Sequence, residues 1–75
     1  MKRIGIIAKQ REKEALLQAQ KLSAWLTRRG IEPVMDKDLS RALGRRKGYA
    51  KGKIPDLVDL LVVLGGDGTL LSAAR

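Results

Sequence analysis

The feature that most constrains the fold is an apolar run that ends abruptly in a cluster of glycines. The run from Leu60 to Leu64 contains no polar residue, and the residues that follow it at once are Gly65, Gly66, Asp67, Gly68 and Thr69. A short apolar run of this kind is typical of a strand that is buried on both faces of a parallel sheet. The glycine turn would then lie at the carboxyl end of a central strand, where open α/β sheets bind their ligands.

The segments before this run predict the rest of an α/β fold. Arg3 to Lys9 is a short β-branched run that indicates a first strand, and Ile31 to Asp36 indicates a second strand. Pro33 cannot donate to a strand ladder, so we expect the second strand at an edge of the sheet. Strand, helix, strand, connection and strand is the order of an open, mostly parallel sheet with flanking helices.

The first connection has the pattern of an amphipathic helix. From Arg11 to Arg29 apolar residues recur at helical spacing, and Gly30 stands where a left-handed residue ends a helix. We expect the face with Leu22, Trp25 and Leu26 to lie in the core, together with the apolar run of the third strand. A further helix is expected to begin at Thr69, the last residue of the glycine turn.

The charge of the chain favours an anionic partner. Its 75 residues carry a net charge of +8, and the segment from Lys37 to Lys53 is rich in Lys, Arg and Gly. We expect a short helix over Ser40 to Leu43 and then a mobile basic loop, either simply solvated or able to attract phosphates. The chain has one Trp, one Tyr and no Phe, so the aromatic platforms that stack single-stranded bases are scarce and nucleic acid is disfavoured.

Other compositional features narrow the class of protein. The chain has no Cys and no His, which excludes a disulfide scaffold and a His or Cys zinc site. No apolar run approaches the length of a membrane span, and the basic start lacks the apolar core of a signal peptide. We therefore expect a cytoplasmic protein that does not cross a membrane.

The glycine turn has the residue types of a phosphate site. Glycines leave no side chain between the backbone amides and an anion, and the start of a helix at Thr69 would add further amides. A carboxylate at Asp67 is unfavourable for simple anion binding, but it would serve to hold a divalent cation or to accept a proton from an attacking hydroxyl. The alternative is a structural turn in which Asp67 only caps the helix.

The residues around the glycine turn resemble those of a known protein family. The segment "LVVLGGDGTLLSAAR", with the opening "KRIGIIAK", the long helix and the "RGIEP" turn, resembles the N-terminal part of bacterial NAD kinases. The GGDGT motif itself also occurs in diacylglycerol and sphingosine kinases and, in related form, in 6-phosphofructokinase. The resemblance implies a Rossmann-like nucleotide-binding domain, present here in part over residues 1–75, and transfer of the terminal phosphoryl group of ATP or polyphosphate to the 2′-hydroxyl of the adenosine ribose of NAD.

The resemblance also implies roles for single residues. Asp67 matches the proposed proton acceptor, and Asp67 and Gly68 match residues that contact the nucleotide. Gly65, Gly66 and Thr69 are similar to positions near the phosphates, and Mg²⁺ is the expected divalent ion. Some members have a basic residue where this chain has Ser72, so a nucleotide contact there is open.

The resemblance covers only part of such an enzyme. The Asn-Glu motif and the β-rich C-terminal domain of the family have no counterpart in these residues. We therefore expect the isolated chain to be inactive and the full enzyme to be a homo-oligomer that binds small-molecule nucleotides. A lipid kinase fragment and a stand-alone basic module that binds nucleotides or nucleic acid remain the alternatives.

Overall fold

The computed structural model describes residues 2–8, 13–64 and 70–73, the last four by their backbone alone. The helices and strands, in chain order, are β1 (Arg3–Ala8), α1 (Lys13–Arg28), β2 (Glu32–Met35), α2 (Lys37–Ala42), a 3₁₀ turn (Lys51–Lys53), α3 (Ile54–Leu57), β3 (Leu60–Leu64) and β4 (Leu70–Ala73). None of the helices in this described part of the chain has the length and hydropathy needed to cross a membrane.

The strands form one mostly parallel sheet in the order β2-β1-β3-β4. Strand β1 pairs in parallel with β2 on one side and with β3 on the other, while β4 pairs antiparallel with β3. Strand β2 therefore lies at an edge, as Pro33 predicts, and the apolar strand β3 lies inside the sheet. The expected α/β architecture, an open and mostly parallel sheet with flanking helices, is confirmed.

Helix α1 covers one face of the sheet, and it ends as the sequence predicts. Gly30 follows it with a φ of +76°, the left-handed conformation that glycine adopts without strain. The residues of α1 that are buried are Ala15, Ala19, Ser23 and Leu26.

The expectation that Trp25 lies in the core is wrong. The Trp25 side chain is 45% exposed, while its neighbour Leu26 is buried and Leu22 is half-buried. Successive helical residues are about 100° apart, so Trp25 lies beside the buried stripe rather than in it. Its ring instead contacts the guanidinium of Arg29, whose Cζ lies 4.3 Å from the ring centroid.

The opposite face of the sheet is covered by α3, a single helical turn that the sequence pattern does not predict. Ile54 and Val58 pack there against Val34 of β2, and all three side chains are buried. Pro55 lies in the first turn of α3, where its missing N–H costs no helical hydrogen bond. A second, smaller core therefore stabilises this face.

The helix expected from Thr69 is also wrong, because residues 70–73 form strand β4. Val63 pairs with Leu70 and Leu60 pairs with Ala73, so β4 runs back along β3. Two apolar strands that are joined by a short segment with glycines are typical of a hairpin. This pairing satisfies backbone groups along β3.

Candidate functional site

The carboxyl ends of the three parallel strands meet at one edge of the sheet. Ala8, near the end of β1, pairs with Leu64 at the end of β3, and Ile6 of β1 pairs with Met35 at the end of β2. This is the edge at which open α/β sheets bind their ligands. The structure therefore brings the segments that follow β1, β2 and β3 to the same side of the molecule.

The predicted glycine turn begins at this edge. Gly65, Gly66, Asp67, Gly68 and Thr69 lie outside the described residues, and the described residues on either side of them are Leu64 and Leu70. Because Val63 pairs with Leu70, the described residues on both sides of this segment lie at the carboxyl end of β3. The roles given to these five residues stay predictions.

Ser72, where the sequence leaves a nucleotide contact open, lies in β4. Its backbone pairs with that of Leu61 in β3. The segment was expected to be helical and is a strand instead. A nucleotide contact at Ser72 stays open.

A buried carboxylate that the sequence pattern does not single out follows β2 at the same edge. Asp36 is 3% exposed, and its Oδ1 accepts a hydrogen bond of 2.7 Å from the backbone N–H of Leu39. Its Oδ2 lies 3.8 Å from Nζ of Lys51 and has no hydrogen-bond partner among the described residues. Asp36 thus caps α2, and the signal for it was an Asp directly before a possible helix.

Helix α2 begins earlier than expected and ends in a defined cap. It starts at Lys37 rather than Ser40, because Asp36 caps it. At its other end Gly44 has a φ of +73°, the N–H of Gly44 donates to the carbonyl of Arg41, and the N–H of Arg45 donates to the carbonyl of Ser40. These two bonds form a Schellman motif, which fixes the direction of the basic loop where it leaves the helix.

The basic loop then returns to the start of α2. The N–H of Tyr49 donates to the carbonyl of Met35 at 3.0 Å, and the N–H of Lys37 donates to the carbonyl of Tyr49 at 3.2 Å. The cations that the sequence singles out in this region are all exposed: Arg41, Arg45, Arg46, Lys47, Lys51 and Lys53. The loop is therefore solvated, as expected, but backbone hydrogen bonds hold it at both ends.

An open groove of about 530 Å³ lies between α2 and this returning loop. We call it the basic groove, and its lining residues are Lys37, Ser40, Arg41, Gly44, Arg45, Arg46 and Gly48. Just outside it, Tyr49 raises the pKa of Lys47 above its usual value through a side-chain hydrogen bond. The groove follows β2, and it therefore belongs to the same sheet edge as the glycine turn.

A metal site built from protein side chains alone is not found in the described ranges. No group of three or more His, Cys, Asp or Glu side chains that could hold a metal ion occurs within residues 2–8 and 13–64. Asp67 lies outside these ranges.

Comparisons with known proteins identify relatives of this chain. An NAD kinase of Syntrophotalea carbinolica is 46% identical over 76 residues, which cover all of this chain and 27% of that protein. NAD kinases of Geobacter sulfurreducens and Solibacter usitatus are 49% and 47% identical over 75 residues, all of this chain and 26% of each relative. The chain thus spans about a quarter of the length of these relatives.

The remaining comparisons concern domain families and solved structures. No solved structure matches this chain significantly. The family model of the ATP-NAD kinase N-terminal domain matches residues 4–75, which is nearly the whole chain. The chain therefore belongs to the ATP-NAD kinase family, in the part that forms its N-terminal domain.

Proposed function

We propose that this chain is the N-terminal part of the nucleotide-binding domain of a cytoplasmic NAD kinase. That enzyme would transfer the terminal phosphoryl group of ATP, or of polyphosphate, to the 2′-hydroxyl of the adenosine ribose of NAD and so make NADP. The observation that carries the proposal is the match of residues 4–75 to the ATP-NAD kinase N-terminal domain, which includes the glycine turn. We further propose that the full enzyme is a homo-oligomer.

In this proposal the glycine turn is the site of phosphoryl transfer. The backbone amides of Gly65, Gly66 and Gly68, together with Thr69, would position the phosphates of the donor. Asp67 would accept the proton of the 2′-hydroxyl as that oxygen attacks the terminal phosphorus. The proposal is supported by the position of Leu64, which brings the start of this segment to the carboxyl edge of the sheet.

A divalent ion fits this arrangement. Mg²⁺ usually takes one or two carboxylates from a protein, and its remaining ligands are substrate phosphates and water. The phosphates of the donor and water would supply most of that set, and Asp67, which accepts the proton in this proposal, is not assigned to the ion. When bound, the ion would neutralise charge that develops on the phosphates during transfer.

The proposal can be tested in a chimaeric enzyme. Residues 1–75 would replace the aligned segment of the Geobacter sulfurreducens NAD kinase, which is 49% identical over this length. The chimaera would receive ATP and Mg²⁺ with NAD, diacylglycerol and fructose 6-phosphate as separate acceptors. We expect label from the terminal phosphate in NADP alone. A folded chimaera that phosphorylates none of the three would contradict the proposal, while the 75-residue chain alone is expected to be inactive.

A further inference from the structure

We propose that the basic groove between α2 and its returning loop is a second phosphate-binding site, separate from the glycine turn. Its ligand would be a phosphate oxyanion, either of inorganic phosphates or of the phosphate chain of a nucleotide. The proposal does not depend on phosphoryl transfer at Asp67, because none of the residues that line the groove belongs to the glycine turn.

The groove is lined by positive charge alone. Lys37, Arg41, Arg45 and Arg46 line it, and no acidic side chain does. Neither Lys37 nor Arg41 nor Arg46 has an ion-pair partner within the described part of the chain. Cations that share one small groove repel each other, and a bound oxyanion would turn this repulsion into attraction.

The stability of α2 explains the position of only some of these cations. Arg41 in the last turn is favourable because the helix dipole is negative there. Lys37 stands at the first residue of the helix, where the dipole disfavours a positive charge. Arg46 lies beyond the cap. The placement of Lys37 and Arg46 is therefore better explained by a ligand than by the helix.

Parts of the groove are held in place before a ligand binds. Nη2 of Arg45 donates a hydrogen bond of 3.0 Å to Oγ of Ser23, a buried residue of α1. The loop is fixed to α2 at both ends by backbone hydrogen bonds of Arg45 and Tyr49. A preorganised guanidinium loses little entropy when it binds phosphate, and its planar donors match the phosphate oxygens.

A buried polar atom without a partner belongs to a residue that lines the groove. Ser40 is 2% exposed, and its Oγ is buried with no hydrogen-bond partner among the described residues. A buried hydroxyl without a partner lowers stability, so an acceptor that reaches this Oγ would relieve the cost.

The test is a titration of the full 75-residue chain with inorganic triphosphate at low ionic strength, followed by backbone amide NMR. We expect binding that shifts the amides of residues 37–48. ATP should produce the same shifts, while adenosine should produce none. Shifts at residues 37–48 report binding in the groove and shifts at residues 65–69 report binding at the glycine turn, so failure of the proposed phosphoryl transfer would leave this result standing.

Two double variants, each of which loses two positive charges, separate binding in the groove from a general effect of net charge. Arg41→Gln with Arg46→Gln should weaken triphosphate binding at least about tenfold, because it removes charge-assisted hydrogen bonds. Lys13→Gln with Lys21→Gln removes the same charge from the exposed face of α1 and should change binding less than about threefold, since exposed distant charges are screened. All four residues are exposed, so both double variants should fold, which circular dichroism would check.

Three results would overturn the proposal. Equal weakening by the two double variants would mean that only net charge attracts the anion. Shifts confined to residues 65–69 would assign phosphate binding to the glycine turn alone and leave the proposed phosphoryl transfer intact. Binding of a single-stranded RNA without binding of triphosphate would assign the groove to nucleic acid.

Discussion

The two faces of the sheet are covered in different ways. On the α1 face, ten buried residues in the described part of the chain form one continuous core, with side chains from α1, α2 and all three parallel strands. On the α3 face, the buried cluster of the described residues has three members, Val34, Ile54 and Val58. One face is thus covered by a long helix, and the other by a single turn between loops.

The difference teaches which kind of packing a sequence pattern reveals. Helix α1 repeats its apolar residues over several turns, so its buried face can be read from the sequence. The α3 face depends instead on a close approach between distant residues. A Cβ at Gly5 of β1 would lie 2.8 Å from Leu61 Cδ1 and 2.9 Å from Ile54 Cγ2. Gly5 therefore leaves the space into which α3 packs.

The largest expected effect comes from removing a large side chain from the α1 face. Leu26→Ala should lower the free energy of unfolding by about 3 kcal/mol, because Leu26 is 1% exposed and rigid neighbours would leave a cavity. Ile54→Ala on the other face should cost about 2 kcal/mol, because a single helical turn can move inward and fill part of the space. Urea denaturation would measure both free energies. An equal or larger loss for Ile54→Ala would contradict the expected difference between the two faces.

An intermediate effect is expected from adding a methyl group at Gly5. Gly5→Ala should lower the free energy of unfolding by about 1 to 2 kcal/mol, because Leu61 and Ile54 must move away from the new Cβ. Gly52→Ala is the matched control, since a Cβ there meets no atom within 4 Å, and it should change stability by less than about 0.5 kcal/mol. Similar effects of the two changes in urea denaturation would show that the α3 face does not need this glycine.

The smallest effect is expected at Trp25. Trp25→Ala should cost less than about 1 kcal/mol, because the side chain is 45% exposed and its recorded ring contact is with the Arg29 guanidinium. A buried Trp would cost roughly 3 to 5 kcal/mol when it is truncated. Thermal unfolding distinguishes these two losses of stability. A loss in the larger range would mean that Trp25 is part of the core.

Much of the fold could be predicted from the sequence, because the periodicity of apolar residues and the positions of Pro and Gly are local signals. The strands β1, β2 and β3, helix α1 and its end at Gly30 all follow from periodicity and from the positions of Pro and Gly. Strand β4 could not be predicted in this way. The residues after Thr69 suit a strand or a helix, and the free edge of β3 decides between them. Helix α3 was missed because Pro55 and the basic residues before it hide its periodicity.

The candidate site also has one part that could be predicted from the sequence and one part that could not. That the glycine turn follows the carboxyl end of a central strand was predictable, because the apolar run and the glycines are adjacent in sequence. The basic groove was not predictable as a shape. It exists because the backbone of Tyr49 pairs with Met35 and Lys37, which brings the basic loop back across α2. Such long-range backbone pairing leaves no periodic signal in the sequence.

The measurement that tests the account most directly is NADP formation by the chimaera that carries residues 1–75, with and without Asp67→Asn. The two side chains have almost the same shape, but the amide cannot accept the proton of the 2′-hydroxyl, so the rate should fall by at least about 100-fold. Unchanged circular dichroism would show that the fold survives. A rate close to that of the unmodified chimaera would contradict the account and would leave Asp67 a structural role in the turn.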